Sequence, residues 1–240
     1  MMRQLLDTIL DIVYPRHCPV CGEIVAYPGK LICPQCREKV HPIREPKCKK
    51  CGKPLEQEER EYCHDCGKRA HSYERGLALF AYEGWAKEAI YQIKFHNKRE
   101  YLDFFVREMA RELGSEVHSW GAQAIVPVPL HKKKYRRRGF NQAELLAEKL
   151  GTALHIPVRK DLAERIRYTD AQKELNLRER RKNIRGAFRV YRDEMDLEKI
   201  ILVDDIYTTG STVDEMAEEF LRSGASQIYF LAICIGRADY

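Results

Sequence analysis

Eight cysteines in the first third of the chain have a spacing that is typical of metal ligands. They form four Cys-x-x-Cys pairs, namely Cys18 and Cys21, Cys33 and Cys36, Cys48 and Cys51, and Cys63 and Cys66. Adding 30 to each cysteine number in the first two pairs gives the other two, so the segment is an internal duplication. Each pair places two thiolates on one tight turn, and two pairs complete a tetrahedral zinc shell. We therefore predict two structural Zn²⁺ ions with no open position for catalysis.

The spacing alone allows two arrangements of these pairs. Sequential sites use both pairs of one repeat, whereas interleaved sites combine one pair from each repeat. We favour the sequential arrangement because each repeat then closes its own short loop at the least entropic cost. Redox chemistry is the alternative to zinc binding for such cysteine pairs, and the presence of four pairs in two matched repeats argues against it. The ninth cysteine, Cys234, lies in an apolar run and is predicted to be a core residue.

A second group of residues has the chemistry of a sugar-phosphate site. Asp204 and Asp205 end the apolar run KIILVDD, and two acids in that place can hold sugar hydroxyls or a divalent cation. A loop of small residues and then a helix follow; the loop residues are Thr208, Thr209, Gly210, Ser211 and Thr212. Backbone N–H groups at a helix N-terminus favour an anion, and glycine lets the backbone approach closely. Neither a GxxxxGK[ST] nor a GxGxxG motif is present in this segment.

A run of positive charge precedes these acids in the chain. The run KKKYRRR holds six cations in seven positions: Lys132, Lys133, Lys134, Arg136, Arg137 and Arg138. We interpret it as a loop at the mouth of the site that binds pyrophosphate, contacts single-stranded DNA as well, or is merely solvated. Tyr135 is available to stack on a base if DNA binds there. A second basic group extends a DNA track or forms a solvated helix face; its members are Lys94, His96, Lys98 and Arg99.

The pattern of the remaining chain indicates which elements position these groups. After a boundary near residue 70, strands are predicted at 76–82, 122–130, 199–205 and 227–235, and helices at 85–96, 100–117, 141–154 and 211–224. Alternating strands and helices predict a mainly parallel sheet flanked by helices. We therefore divide the chain into a segment 1–70 with an N-terminal helix and a double zinc ribbon, and a domain 71–240. Residues 71–120 of that domain are predicted to be a hood or helical lead-in.

Composition and terminal pattern argue against a membrane location. The chain has 240 residues, of which 44% are hydrophobic and 32% charged, and no apolar run approaches the ~18 residues of a membrane span. The first residues are interrupted by Asp7 and Asp11, so they lack the apolar centre of a signal peptide. We expect an amphipathic helix there that packs on the rest of the protein, with a membrane-surface helix as the minor alternative.

Three segments resemble known families. VDDIYTTGST resembles the phosphoribosyl pyrophosphate (PRPP) motif of type I phosphoribosyltransferases. IVPVPLHKKKYRRRGFNQAELLA and TDAQKELNLRERRKNIRGAF resemble the ComF family, also called ComFC, which carries an N-terminal double zinc ribbon. The resemblance covers nearly the whole chain. It implies a type I phosphoribosyltransferase fold with a hood, a cytoplasmic location, and a role in natural competence that handles incoming single-stranded DNA beside a helicase-like ATPase.

The resemblance also implies roles for individual residues. Asp204 and Asp205 would contact the ribose hydroxyls directly or through Mg²⁺, and residues 208–212 would hold the 5-phosphate. The pyrophosphate loop would include the RGFNQ residues Arg138, Gly139, Asn141 and Gln142. A flexible loop that closes over substrate would contain Thr169, Gln172, Leu175, Arg180 and Asn183.

One position departs from the enzymes of purine salvage. Those proteins often carry an acidic residue where this chain has Thr208. Two hypotheses therefore stay open. The first is a phosphoribosyltransferase that binds PRPP and Mg²⁺. The second is a non-catalytic DNA-handling competence factor in which the PRPP site is a sensor or a relic.

Overall fold

A four-stranded parallel sheet organises the larger part of the chain. The computed structural model describes residues 15–27, 29–168, 184–191 and 197–236. The sheet has the order β1 (Arg75–Ala81), β6 (Gln227–Ile235), β5 (Lys199–Tyr207) and β2 (Ala124–Pro127), with every pair parallel. Its strands are almost entirely buried, as expected for a parallel sheet that is covered on both faces. The predicted parallel sheet flanked by helices is confirmed.

Six α-helices are found among the described residues. They are α1 (His64–Lys68), α2 (Gly84–His96), α3 (Tyr101–Ser119), α4 (Lys132–Arg138), α5 (Gln142–Leu154) and α6 (Ser211–Arg222). Helices α2, α3 and α5 share a hydrophobic cluster with one face of the sheet, and α6 packs on the other face. The α5 helix begins as predicted, because the Asn141 side chain accepts a hydrogen bond from the Ala143 backbone N–H. No described helix combines the length and the apolar composition needed to cross a bilayer.

The two cysteine repeats lie on opposite faces of the sheet. Cys18 and Cys36 belong to the hydrophobic cluster of α2, α3 and α5, whereas Cys48 and Cys51 belong to the cluster of α6. From the end of the first repeat into the second, the chain runs along the edge strand β1. There the backbone N–H of Ile43 donates to the Leu79 carbonyl, and Gly76 donates to the Lys50 carbonyl, each at 2.8 Å. The zinc ribbon therefore covers a strand edge that would otherwise be unpaired.

Gly52 allows the second repeat to approach this strand. Its φ is 73°, and a Cβ on this residue would lie 2.8 Å from the Gly76 carbonyl oxygen. The equivalent glycine of the first repeat, Gly22, has a similar φ of 80°, but a Cβ there would contact nothing within 4 Å. The two repeats are therefore alike locally and differ in how tightly they pack.

The basic run is a helix, so its prediction as a loop was wrong. Residues Lys132–Arg138 form α4, which begins where the His131 side chain accepts from the Lys133 backbone N–H and ends at Gly139, whose φ is 82°. Lysine and arginine are good helix formers, and a cap at each end is enough to favour two turns. The six cations therefore point in several directions.

Three other features differ from the predictions. Strand β5 continues to Tyr207 because Ile206 and Tyr207 still pair with β6, so the acid pair lies within the strand and not at its end. A small antiparallel sheet of two strands, β3 (Ala163–Arg165) and β4 (Phe188–Val190), was not predicted, since three residues carry too little periodicity. Residues 75–81, which we assigned to a lead-in, supply the edge strand of the main sheet. The expected N-terminal helix lies outside the described residues.

Candidate functional site

Asp205 is the most enclosed residue of the acid pair. Its side chain is 5% exposed, and Oδ2 forms an ion pair with Lys94 Nζ at 2.5 Å. The side-chain amide of Gln142 donates a 3.0 Å hydrogen bond to Oδ1, and Gln142 Oε1 in turn accepts from Arg138. Asp204 lies beside it and accepts a 2.8 Å hydrogen bond from the Asp205 backbone N–H. The structure therefore joins the acid pair to the RGFNQ segment.

The two adjacent carboxyl groups have pKa values that move in opposite directions. Burial, followed by the charge of Asp205, raises the pKa of Asp204 well above its usual value. Burial would also raise the pKa of Asp205, but the charge of Lys94 and the hydrogen bonds outweigh it and hold that pKa below its usual value. Asp205 is therefore the ionised member of the pair, and Asp204 is the one that readily takes a proton.

The loop after β5 is a tight turn that leads into a helix. Thr208 is exposed, and the Thr209 and Ser211 hydroxyls are hydrogen-bonded to each other at 3.0 Å. Gly210 has a φ of 76°, and a Cβ there would collide with the Tyr207 ring. Only glycine fits this position without a shift. The loop leads directly into α6, so its backbone N–H groups are those of a helix N-terminus.

The segment that connects the zinc ribbon with the sheet domain contacts this loop and the first turn of α6. Asp214, on the first turn of α6, is ion-paired with Arg69, accepts from the Ser72 backbone N–H at 3.2 Å, and lies 3.0 Å from His71 Nδ1. Arg69 also donates a 3.4 Å hydrogen bond to the Thr209 carbonyl. We did not predict these residues, because their partners lie more than 130 positions away and have no shared spacing.

Two tyrosines connect the second repeat with the same loop. The hydroxyls of Tyr73 and Tyr207 are hydrogen-bonded at 2.7 Å, and both rings contact Phe230. Burial raises the pKa of both tyrosines, so both hydroxyls are neutral hydrogen-bonding groups. Cys48 and Cys51 belong to the same hydrophobic cluster. The second cysteine group and the tyrosine that precedes the loop therefore pack in one hydrophobic cluster.

A basic cavity opens beside the acid pair. It has a volume of about 590 Å³ and is lined by Lys94, Phe95, Asn97, Arg99, Lys134, Arg137, Arg138 and Phe140. The Arg99 guanidinium lies over the Phe140 ring at 4.1 Å, and that of Arg138 lies over Phe95 at 5.6 Å. The two predicted basic groups thus meet across a gap between α2 and α4.

Only part of each basic group lines this cavity. Lys132, Lys133 and Arg136 lie on α4 but are not among its lining residues. Lys98 turns toward the first cysteine repeat, where its Nζ lies 3.1 Å from His17 Nδ1. Tyr135 is 46% exposed and remains accessible. Arg165, which we did not predict, lies over the Phe188 ring; burial lowers its pKa, and the charge of Asp204 partly offsets this.

Both predicted cysteine groups come together in the sequential arrangement. One group is Cys18, Cys21, Cys33 and Cys36; the other is Cys48, Cys51, Cys63 and Cys66. Within each group all sulfur atoms lie within 4.8 Å of one another. Burial and the neighbouring thiols raise the pKa of Cys33 to about 11 and that of Cys36 to about 12. Four thiolates this close repel one another without a cation, so each group has the chemistry of a Zn²⁺ site.

The predicted flexible loop lies outside the described residues, and so do its members Thr169, Gln172, Leu175, Arg180 and Asn183. Cys234 is fully buried in β6, as predicted for a core residue, and burial raises the pKa of its thiol.

The fold and the sites define a class of molecule, a double zinc ribbon joined to a parallel α/β domain, and comparison with known proteins agrees with the zinc-ribbon part. Residues 9–67 match the family described as Double zinc ribbon domain. A purine phosphoribosyltransferase structure from Pyrococcus horikoshii aligns with a TM-score of 0.34 and 18% identity, covering 56% of this chain and 72% of that one.

Proteins of similar sequence define this class of protein more closely. The chain is 35% identical over 150 residues to DNA utilization protein YhgH of Escherichia coli K12, covering 60% of this chain and 65% of that protein. It is 38% identical over 108 residues to competence protein F of Haemophilus influenzae, covering 44% and 47%. It is 30% identical over 147 residues to competence protein ComFC of Bacillus subtilis, covering 61% and 58%. The alignments span less than two thirds of the length of each relative. The names of two of these relatives confirm the resemblance to the ComF family.

Proposed function

We propose that this protein binds PRPP with Mg²⁺ at Asp204, Asp205 and residues 208–212, contacts single-stranded DNA through the basic cavity, and acts in natural competence. The observation that carries the proposal is that the acid pair lies in the central strand β5 and the turn of residues 208–212 follows directly after that strand. Similarity to proteins named competence protein F and ComFC supports the biological setting. A cytoplasmic location and a helicase-like ATPase partner are further parts of this proposal.

The donor set at the acid pair suits a hard divalent cation. Two carboxylates are the ligands that Mg²⁺ takes in proteins, together with oxygens of a bound phosphate. Mg²⁺ would neutralise charge on the pyrophosphate group. The residues themselves would orient the ribose through Asp204 and Asp205 and hold the 5-phosphate at the turn between Thr208 and Thr212. Arg138 would stand near the pyrophosphate end because it reaches Asp205 through Gln142.

If turnover occurs, an acceptor nucleophile would form a bond to C1 of the ribose while the C1–O bond to pyrophosphate breaks. The electron pair would leave with pyrophosphate, and the sugar would carry positive charge in the transition state. The protein would contribute positioning, cationic side chains and exclusion of water, without a protein nucleophile. The alternative is a sensor without turnover. The sequestered Asp205 and the absence of an acid at Thr208 favour that second function.

Calorimetry with PRPP and Mg²⁺ tests the site. The double substitution of Asp204→Asn and Asp205→Asn should abolish binding, whereas Glu58→Gln with Glu59→Gln should leave it unchanged. The control pair removes two adjacent charges from an exposed stretch of the second repeat. Equal affinity in both double variants would refute the assignment. A pyrophosphate-release assay with bases, nucleotides and DNA as acceptors then separates transferase from sensor.

A further inference from the structure

Both carboxylate oxygens of Asp205 are linked to cationic side chains that line the basic cavity, Oδ2 directly and Oδ1 through Gln142. Oδ2 is ion-paired with Lys94, and the amide of Gln142 connects Oδ1 to Arg138. Lys94 and Arg138 are both lining residues of the cavity. The cavity and the acid pair therefore share Lys94 and, through Gln142, Arg138.

Lys94 occupies the position that a divalent cation needs. Oδ2 of Asp205 is buried, and its partner among the described residues is the ammonium of Lys94, 2.5 Å away. The Lys94 side chain is 19% exposed and that of Asp205 is 5% exposed. A divalent cation and an ammonium in contact with one enclosed carboxylate repel each other, because little solvent screens them. The two cations therefore compete for Oδ2.

We propose that Lys94 is an exchangeable counter-ion of Asp205, and that a polyanion in the basic cavity releases it so that a divalent cation can bind. A polyanion bound in the cavity beside Arg99, Lys134 and Arg137 offers Lys94 a new anionic partner. A phosphodiester chain in the cavity therefore draws Lys94 away and leaves Asp205 in need of a cation. By linkage, cation binding at Asp205 tightens polyanion binding by the same factor. This inference rests on the proposed roles of the acid pair and of the cavity.

The first arm of the test is a titration of zinc-loaded protein with Mn²⁺, followed by electron paramagnetic resonance. Lys94→Gln should bind Mn²⁺ about tenfold more tightly than the wild type, which is within the usual range of coupling between sites. Lys94→Arg keeps the charge and should resemble the wild type. Lys87→Gln is the matched control, because it removes one exposed lysine from the same helix. An unchanged Mn²⁺ affinity in Lys94→Gln would overturn the proposal.

The second arm uses the wild-type protein, so it does not depend on how well a variant folds. A single-stranded oligothymidylate should tighten Mn²⁺ binding to the wild type at least fivefold, after correction for Mn²⁺ held by the oligonucleotide alone. The same oligonucleotide should change Mn²⁺ binding to Lys94→Gln much less. Equal effects on the two proteins would contradict the release mechanism.

These results are separable from the proposed function. If PRPP binds with Mg²⁺ but Lys94→Gln has the wild-type affinity for Mn²⁺, the counter-ion exchange is wrong and the proposed function stands. If PRPP does not bind while Lys94→Gln gains affinity for Mn²⁺, the exchange stands and the sugar-phosphate assignment is wrong.

Discussion

Asp204 accepts a 2.8 Å hydrogen bond from the backbone N–H of Asp205, and the two neighbouring carboxyl groups are nevertheless in opposite electrostatic states. The pKa of Asp204 is raised by burial and by the charge of Asp205. That of Asp205 is lowered by Lys94, against the effect of its own burial. Two substitutions that look equivalent in the sequence should therefore change stability with opposite signs.

Asp204→Asn should raise the free energy of unfolding at pH 8 in magnesium-free buffer, by about 1 kcal/mol as for other functional residues. A raised pKa means that Asp204 contributes stability below the usual carboxyl pKa and loses it as the pH rises through the raised value. The gain should therefore shrink as the pH falls and Asp204 becomes protonated. Urea unfolding at a series of pH values measures this, and a gain that grows toward low pH would contradict it.

Asp205→Asn should destabilise the protein at pH 8 by about 3 kcal/mol, since it leaves Lys94 without its partner in a largely enclosed place. A lowered pKa means that the stability from Asp205 is present above the usual carboxyl pKa and is lost as the pH falls through the lowered value. The same urea series measures both variants. Loss of stability in Asp204→Asn and Asp205→Asn alike would show that Lys94 is not the deciding group.

Zinc stoichiometry in double variants distinguishes the two cysteine arrangements. With sequential sites, Cys18→Ser combined with Cys33→Ser damages one site, and native mass spectrometry should find one Zn²⁺. Cys18→Ser combined with Cys48→Ser damages both sites and should leave none. Interleaved sites predict the reverse result for the two variants. The unsubstituted chain should hold two Zn²⁺, and fewer would contradict the paired sites.

The basic helix α4 contains its own control for DNA binding. Lys134, Arg137 and Arg138 line the cavity, whereas Lys132, Lys133 and Arg136 do not. Replacing the first three with glutamine should weaken binding of single-stranded DNA and lower the salt slope by about 2, since each lost phosphate contact removes about 0.7. Replacing the other three removes the same charge and should have a smaller effect on the slope. Equal slopes in the two triple variants would exclude the cavity as the DNA path.

The equivalent glycines of the two repeats form a matched pair for stability. Gly22→Ala should cost about 1–2 kcal/mol, because alanine is disfavoured at positive φ and nothing else is near. Gly52→Ala should cost more, about 3 kcal/mol, because a Cβ also meets the Gly76 carbonyl. Urea unfolding of zinc-loaded protein measures both. Equal costs would mean that the second repeat does not press against β1.

Much of the fold was predictable because its signals are local. The buried strands β5 and β6 and the helices α2, α3, α5 and α6 have apolar patterns that extend over seven or more residues. Strands β3 and β4 have three residues each and were missed for that reason. The basic run was predicted to be a loop because it has no apolar face, whereas its ends supply a cap at His131 and a positive φ at Gly139.

The sequence by itself determined the chemistry that is available: eight thiols in a repeated spacing, two adjacent acids before a turn of small residues, and concentrated positive charge. Each of these is a short segment whose residue types act together wherever it is placed. Tertiary structure alone decided which charges meet. Lys94 reaches Asp205 across 111 positions, and the two cysteine repeats settle on opposite faces of one sheet. Such contacts depend on how helices and strands pack, and no local pattern of residues encodes them.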